Sequence, residues 1–153
     1  MTIQVAIQPD LTTRELTSRT IDENEIFIIV PLLVQLYQNL PIETIKSRLD
    51  EIKHLNWSCL GVFYKDSLVG ISGYWLNTRL YCGKYLYVDH FVVDDAFRQS
   101  GVGALLMQKI KEVAEQNQCG HICLDTFTGN SQAQKYWSKH KFNIVGFHYV
   151  LQH

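Results

Sequence analysis

Three aromatic and β-branched runs, at 59–64, 68–76 and 85–93, follow one another with only short polar joints, Lys65-Asp66-Ser67 and a turn around Cys82-Gly83-Lys84. Runs of this length and composition read as strands. The joints are too short for a parallel return, which needs a crossover of about a dozen residues or more. An antiparallel meander therefore occupies the middle of the chain, and the other elements must cover its faces or extend its edges.

The flanks supply those elements. Ile3, Val5 and Ile7 alternate with polar residues and stop at Pro9, a first short strand. Residues 10–25 carry five acids and little periodicity, and read as a loop leading into a helix. From Ile26 to Tyr37 the chain is apolar nearly all round, with Pro31 inside, which predicts a buried helix starting or kinking at the proline. Pro41 suits the first turn of an amphipathic helix with Ile42, Ile45, Leu49 and Ile52 on one face. After Val93 comes a polar loop, Asp94–Ser100, then Gly101-Val102-Gly103 and a helix striped by Val102, Leu106, Ile110 and Val113 and ended by Gly120. His121–Asp125 reads as a strand. Asn130 or Ser131 caps a helix with Ala133, Tyr136, Trp137 and His140 on one face, and Ile144–Leu151 reads as a final strand. The order β-α-α-β-β-β-α-β-α-β is a mixed α/β sheet, and 153 residues suit a single domain, 1–153.

Composition narrows the function. Fourteen Lys plus Arg against fifteen Asp plus Glu give a net charge of −1, which argues against a nucleic-acid partner. The longest apolar run, Ile26–Leu36, is broken by Pro31 and Gln35 and falls short of the roughly 20 residues of a membrane span. No secretory signal pattern opens the chain, so the expected location is cytoplasmic. The four cysteines lack paired spacing and read as reduced thiols, and the six histidines form no ligand pattern, so no metal is expected.

The segment Arg98-Gln99-Ser100-Gly101-Val102-Gly103-Ala104 joins a strand to a helix. Two glycines one residue apart let backbone approach a ligand closely, and the free N–H groups of a helix N-terminus favour an anion. The competing reading is a tight turn with close helix packing. A dinucleotide fold is a poor alternative despite Asp125, because Leu106 stands where its third glycine belongs and seven residues separate Val93 from Gly101.

This segment resembles the acyl-CoA signature R/Q-x-x-G-x-G/A of the GCN5-related N-acetyltransferases, with Arg98, Gly101 and Gly103 on its fixed positions. Leu86–Asp94 is similar to the family's fourth strand, and Asn130-Ser131-Gln132-Ala133 with Tyr136-Trp137 and Phe142 to its N-x-x-A-x-x-F-Y segment. The resemblance implies acetyl-CoA as co-substrate, lying where the fourth and fifth strands part near Val93. The amides of Gln99, Ser100, Gly101, Val102, Gly103 and Ala104 would hold the pyrophosphate, Phe91, Val92 and Val93 would offer backbone to the pantetheine arm, and Asn130 would touch that arm.

It further implies direct transfer of an acetyl group to an amine. An alkylammonium, with a pKa near ~10.4, must lose a proton before it attacks. Asp89 stands where the family commonly has Glu and, being shorter, is expected to act as base through water; the alternative is a strand aspartate bonded to backbone, Arg79 or Lys84. His90, on the opposite face by period two, reads as a core or rim residue. At the family's usual tyrosine acid stands Trp137, with Tyr136 beside it as alternative acid, and Lys141 replaces the usual glycine.

The acceptor is expected to be a small cationic amine or a protein amine, since the first 60 residues carry 8 acids against 5 bases. Tyr37, Trp57, Tyr64, Tyr74, Trp75, Tyr81 and Tyr85 are candidates for its cleft, with core or interface as their other home. Family resemblance also implies pairing into a homodimer through Phe147, Tyr149 and Leu151, which burial in the monomer would equally satisfy. An acyl-CoA-binding or sensing domain without turnover is the alternative function.

Overall fold

The computed structural model describes residues 15–153, so the strand expected at Ile3–Ile7 lies outside the described residues. Two compact units divide between Cys123 and Leu124. In the first, the meander is β2 (Trp57–Tyr64), β3 (Ser67–Arg79) and β4 (Gly83–Val93), each antiparallel to the next. Lys65, at φ 53°, makes the tight β2–β3 turn.

A further strand, β1 (Leu16–Thr20), pairs antiparallel with β2 where a loop was expected. Only Leu16 of its five residues is buried, so no alternation announced it. It is held by ladder hydrogen bonds and by the Arg19 guanidinium, 4.6 Å above the Phe63 ring, and among the described residues it is the outer strand on that side of the sheet. On the other side β5 (His121–Leu124) neighbours β4, completing a mixed sheet in the order β1-β2-β3-β4-β5. The Gly120 amide donates to Lys84 O at 2.9 Å, so β5 begins beside the start of β4 and ends after four residues.

Helices cover both faces. On one face a 3-10 helix, Glu23–Ile29, runs straight into α1 (Val30–Leu36), and α2 (Ile42–Ile52) follows. Asp22 and Glu25 form a capping box at the start, and Pro31 sits in the first turn of α1, where its missing N–H has no partner to lose. Ile26, Ile29, Leu32, Leu33, Ile45 and Leu49 pack there with Trp57, Cys59, Ile71 and Val92 from the strands. Each such large side chain contributes roughly 1.5–3 kcal/mol when fully buried.

On the other face lies α3 (Val102–Gln116), burying Val102, Leu106, Met107, Ile110 and Ala114. It does not end at Gly120. Gln118 takes the left-handed position at φ 58°, its amide donates to Glu115 O, and the Cys119 amide donates to Ala114 O, a Schellman ending built on glutamine. Among the described residues no helix is long and apolar enough to cross a membrane.

The second unit contains α4 (Ser131–Lys139). The final strand expected at Ile144–Leu151 is not formed: 143–153 has no regular structure. Phe147, Tyr149 and Leu151 are 84–89% exposed. Their alternation gives the segment strand propensity, but a strand exists through its neighbour's hydrogen bonds, and the segment forms no ladder among the described residues.

Candidate active site

Asp89 is the extra residue of a β-bulge. Gly73 pairs with His90 and Tyr74 with Val88, so β4 spends two residues, Asp89 and His90, opposite one. The bulge overturns the expectation that these two point to opposite faces. His90 Nδ1 lies 4.0 Å from Asp89 Oδ2, and both stand on the face of α1 and α2, with Ile71 and Val92. Asp89 bonds neither Arg79 nor Lys84. Its Oδ2 accepts from the indole Nε1–H of Trp75 at 3.2 Å. Tyr37, which caps the end of α1, is close enough that burial first and the Asp89 charge second raise its phenol pKa.

His90 is buried, and that burial lowers its pKa to about 4 against the opposing pull of Asp89, so it is neutral at pH 7. Its seat is made by a missing side chain, because a Cβ on Gly73 would stand 2.4 Å from the imidazole Cε1. Trp57 stacks at a tilt, ring centroids 5.8 Å apart, and among the described residues neither His90 Nε2 nor Trp57 Nε1 has a hydrogen-bond partner.

From the end of β4 the chain passes into the glycine segment. Phe91, Val92 and Val93 pair on one side with Ser72, Ile71 and Gly70. The Asp94 amide donates to Val69 O at 2.9 Å, and its carboxylate caps a 3-10 turn at Asp95–Phe97 by accepting from the Ala96 amide. Arg98 is held 2.7 Å from Asp95, and the Ser100 hydroxyl donates to Phe97 O. Gln99 at φ 60° and Gly101 at φ 88° are both left-handed, and for glutamine that conformation costs about 1–2 kcal/mol.

Gly101 caps α3 without a side-chain bond, and the first amide to find a partner inside the helix is that of Leu105, on Gly101 O at 3.0 Å. The N–H groups of Val102, Gly103 and Ala104 therefore precede the helix's own ladder, at an end carrying roughly half a positive charge.

In the second unit, Asn130 caps α4, its Oδ1 accepting from the Ala133 amide at 3.0 Å. Tyr136 packs edge-on to Trp137 at 5.0 Å and against His140 at 4.4 Å, and burial raises its pKa; the Trp137 ring meets Phe142 at 5.3 Å. Lys141, in place of glycine, takes φ 69° in the Schellman ending of α4, the conformation glycine would adopt without strain.

The first unit thus brings Asp89, Phe91–Val93 and residues 98–104 onto one continuous strand–turn–helix. Of the aromatic candidates, Tyr37 and Trp75 attend Asp89, Trp57, Tyr74 and Tyr85 are buried, Tyr64 packs on Phe97 at 5.7 Å, and Tyr81 is exposed. Sequence reasoning missed the bulge and Gly73. An isolated glycine inside a strand run was the available signal.

A family model described as "Acetyltransferase (GNAT) family" matches residues 30–142. The fold is that of solved acetyltransferases. The aminoglycoside N-acetyltransferase AAC(6')-Iy in complex with CoA superposes with a TM-score of 0.78 at 17% identity, over 94% of this chain and 99% of that one. A ribosomal-protein-alanine N-acetyltransferase from Brucella melitensis biovar Abortus 2308 gives 0.77 at 18% identity over 90% and 99%. An aminoglycoside acetyltransferase from an uncultured soil metagenomic sample gives 0.74 at 15% identity over 92% and 99%. A search of the curated proteins finds no match.

Proposed function

The chain belongs to the acetyltransferase (GNAT) family, and on that premise we propose that it is an N-acetyltransferase that moves an acetyl group from acetyl-CoA directly to a primary amine. The observation that carries this reading is the left-handed turn at Gly101, which leaves the amides of Val102, Gly103 and Ala104 ahead of the α3 ladder at the end of the strand bearing Asp89. Those donors fit a pyrophosphate without demanding lysines. Gln99 and Ser100 complete the loop and Arg98 borders it. Phe91–Val93 would offer backbone to the pantetheine arm.

Acetyl-CoA supplies the acyl group and a thiol leaving group; this chain's residues supply orientation and proton removal. Asp89 takes the ammonium proton, through water because its side chain is short. The Trp75 N–H fixes one carboxylate oxygen, and among the described residues no lysine or arginine neutralises the charge. His90, neutral, does not cancel it either. A cationic amine therefore meets a carboxylate that no lysine or arginine of the described residues pairs with, held by the Trp75 N–H and with its charge felt at the Tyr37 phenol, which supports a small cationic amine or a protein amine as acceptor. The neighbours named for aminoglycosides and for a ribosomal-protein alanine fit both kinds. The exposed apolar residues of 144–151 support a homodimer as the assembled form.

No strong acid is needed on the leaving side. A thiol near pKa ~8.5 leaves more readily than a tyrosine near ~10 can protonate it, and burial raises Tyr136 further. The Trp137 indole cannot serve as an acid.

The test is thiol release from acetyl-CoA over a panel of amines. Turnover is expected with at least one; Asp89→Asn should lower it by about 10²-fold or more, the scale of a positioned base, and Tyr136→Phe only a few-fold. CoA binding without thiol release on any amine would favour the binding-only domain, and a hundred-fold loss in a stable Tyr136→Phe would make Tyr136 the acid.

A further inference from the structure

Gln35 stands in the last turn of α1, yet its side chain bonds a part of the chain some sixty positions away. Its Nε2–H donates to Asp94 Oδ2 at 3.3 Å, and its Oε1 accepts from the Asp95 backbone N–H at 3.1 Å. The two partners fix the orientation of the amide, because a carboxylate can only accept and a backbone N–H can only donate.

Both ends of this bridge lead to a proposed substrate. On the loop side, Asp94 caps the 3-10 turn, Asp95 holds Arg98, and Gly101 lies three residues further on. The loop is exposed at Asp95, Ala96, Arg98 and Gln99, so polar bonds rather than apolar burial hold much of it. Segments of that kind open locally at low cost. On the helix side, Tyr37 follows two residues after Gln35, its amide on Leu33 O at 2.8 Å and its phenol within the field of Asp89.

We propose that Gln35 is a positioning residue that couples the two substrate sites, tying the acceptor-side end of α1 to the turn that leads into the glycine loop. Filling the loop with CoA restrains Asp94–Arg98, and Gln35 carries that restraint to α1 and so to Tyr37 at its end, whose phenol feels the Asp89 charge. Because such coupling is reciprocal, an ordered α1 also favours the loop geometry that binds CoA. The proposal rests on the reading of the glycine loop as the CoA site.

Hydrogen–deuterium exchange with CoA as the only ligand tests it. In the wild type, CoA should slow exchange in peptides from 94–104 and also in peptides from 30–37. In Gln35→Ala the slowing at 94–104 should remain while that at 30–37 disappears, and the Kd for CoA should rise on the order of tenfold, the scale of one charge-assisted hydrogen bond. Gln35→Met, which keeps the length of the side chain and removes its polar atoms, should behave alike and guards against a folding defect in the alanine variant. Slowing at 30–37 that survives in both variants, or that is absent in the wild type while 94–104 is protected, would overturn the coupling and leave the loop reading standing. Absence of protection at 94–104 in the wild type would overturn the loop reading and the coupling together.

Discussion

Next to Asp89 the sheet encloses an imidazole that the folded protein keeps neutral down to about pH 4, whereas an unfolded histidine takes its proton near ~6.5. Above that value both states are neutral and His90 has no effect on the pH dependence. As pH falls from ~6.5 toward 4, the unfolded chain binds a proton that the folded one refuses, so stability is lost across that window, by up to about 3 kcal/mol. Glu25, Asp50 and Glu112 have lowered pKa values and also lose stability toward acid, but they are common to wild type and variant. Urea midpoints at pH 7 and pH 4.5 should therefore fall less in His90→Gln than in the wild type. Equal falls would mean that His90 is not held neutral by the fold.

Among the elements, the contact of α3 with β3 governs where the glycine loop sits. A Cβ on Gly70 would stand 2.4 Å from Val102 Cγ1 and 3.2 Å from Leu106 Cδ1. Val102 is the first residue of α3, so the intrusion pushes on the end of the helix that carries the proposed donors. Gly70→Ala should cost about 1–3 kcal/mol as overpacking and weaken CoA binding, read by urea unfolding and calorimetric titration; unchanged values for both would show that the helix end is not so constrained. The elements legible in the sequence were those with strong periodicity or turn chemistry. The hairpin at Lys65-Asp66, α2 behind Pro41 and the glycine-headed α3 fall where apolar spacing and breakers put them. Leu16–Thr20 escaped because a strand with one buried residue shows no alternation. The Asp89 bulge escaped because period-two reasoning assumes an unbroken ladder, and Gln118 because a glycine two residues later looked the better terminator. The segment 144–151 has the composition of a strand but forms none, because a strand needs a neighbour and neighbours cannot be read from local pattern.

For the whole molecule, a net charge of −1 gives no overall field to draw in either substrate, so recognition falls to local fields of opposite sign along one strand–turn–helix. The start of α3 offers N–H groups that precede the helix's own ladder to an anion, and Asp89 offers a cation a carboxylate that no lysine or arginine pairs with among the described residues. The glycine loop is the part of this account on which the rest depends, and calorimetric titration of CoA into wild type and Gly103→Val tests it most directly. Valine adds bulk where the backbone must approach the phosphates, while its helix propensity is no worse than that of glycine. A Kd at least about tenfold higher is expected, with urea stability essentially unchanged. Equal CoA affinity in the two proteins would contradict it and reduce the loop to a turn.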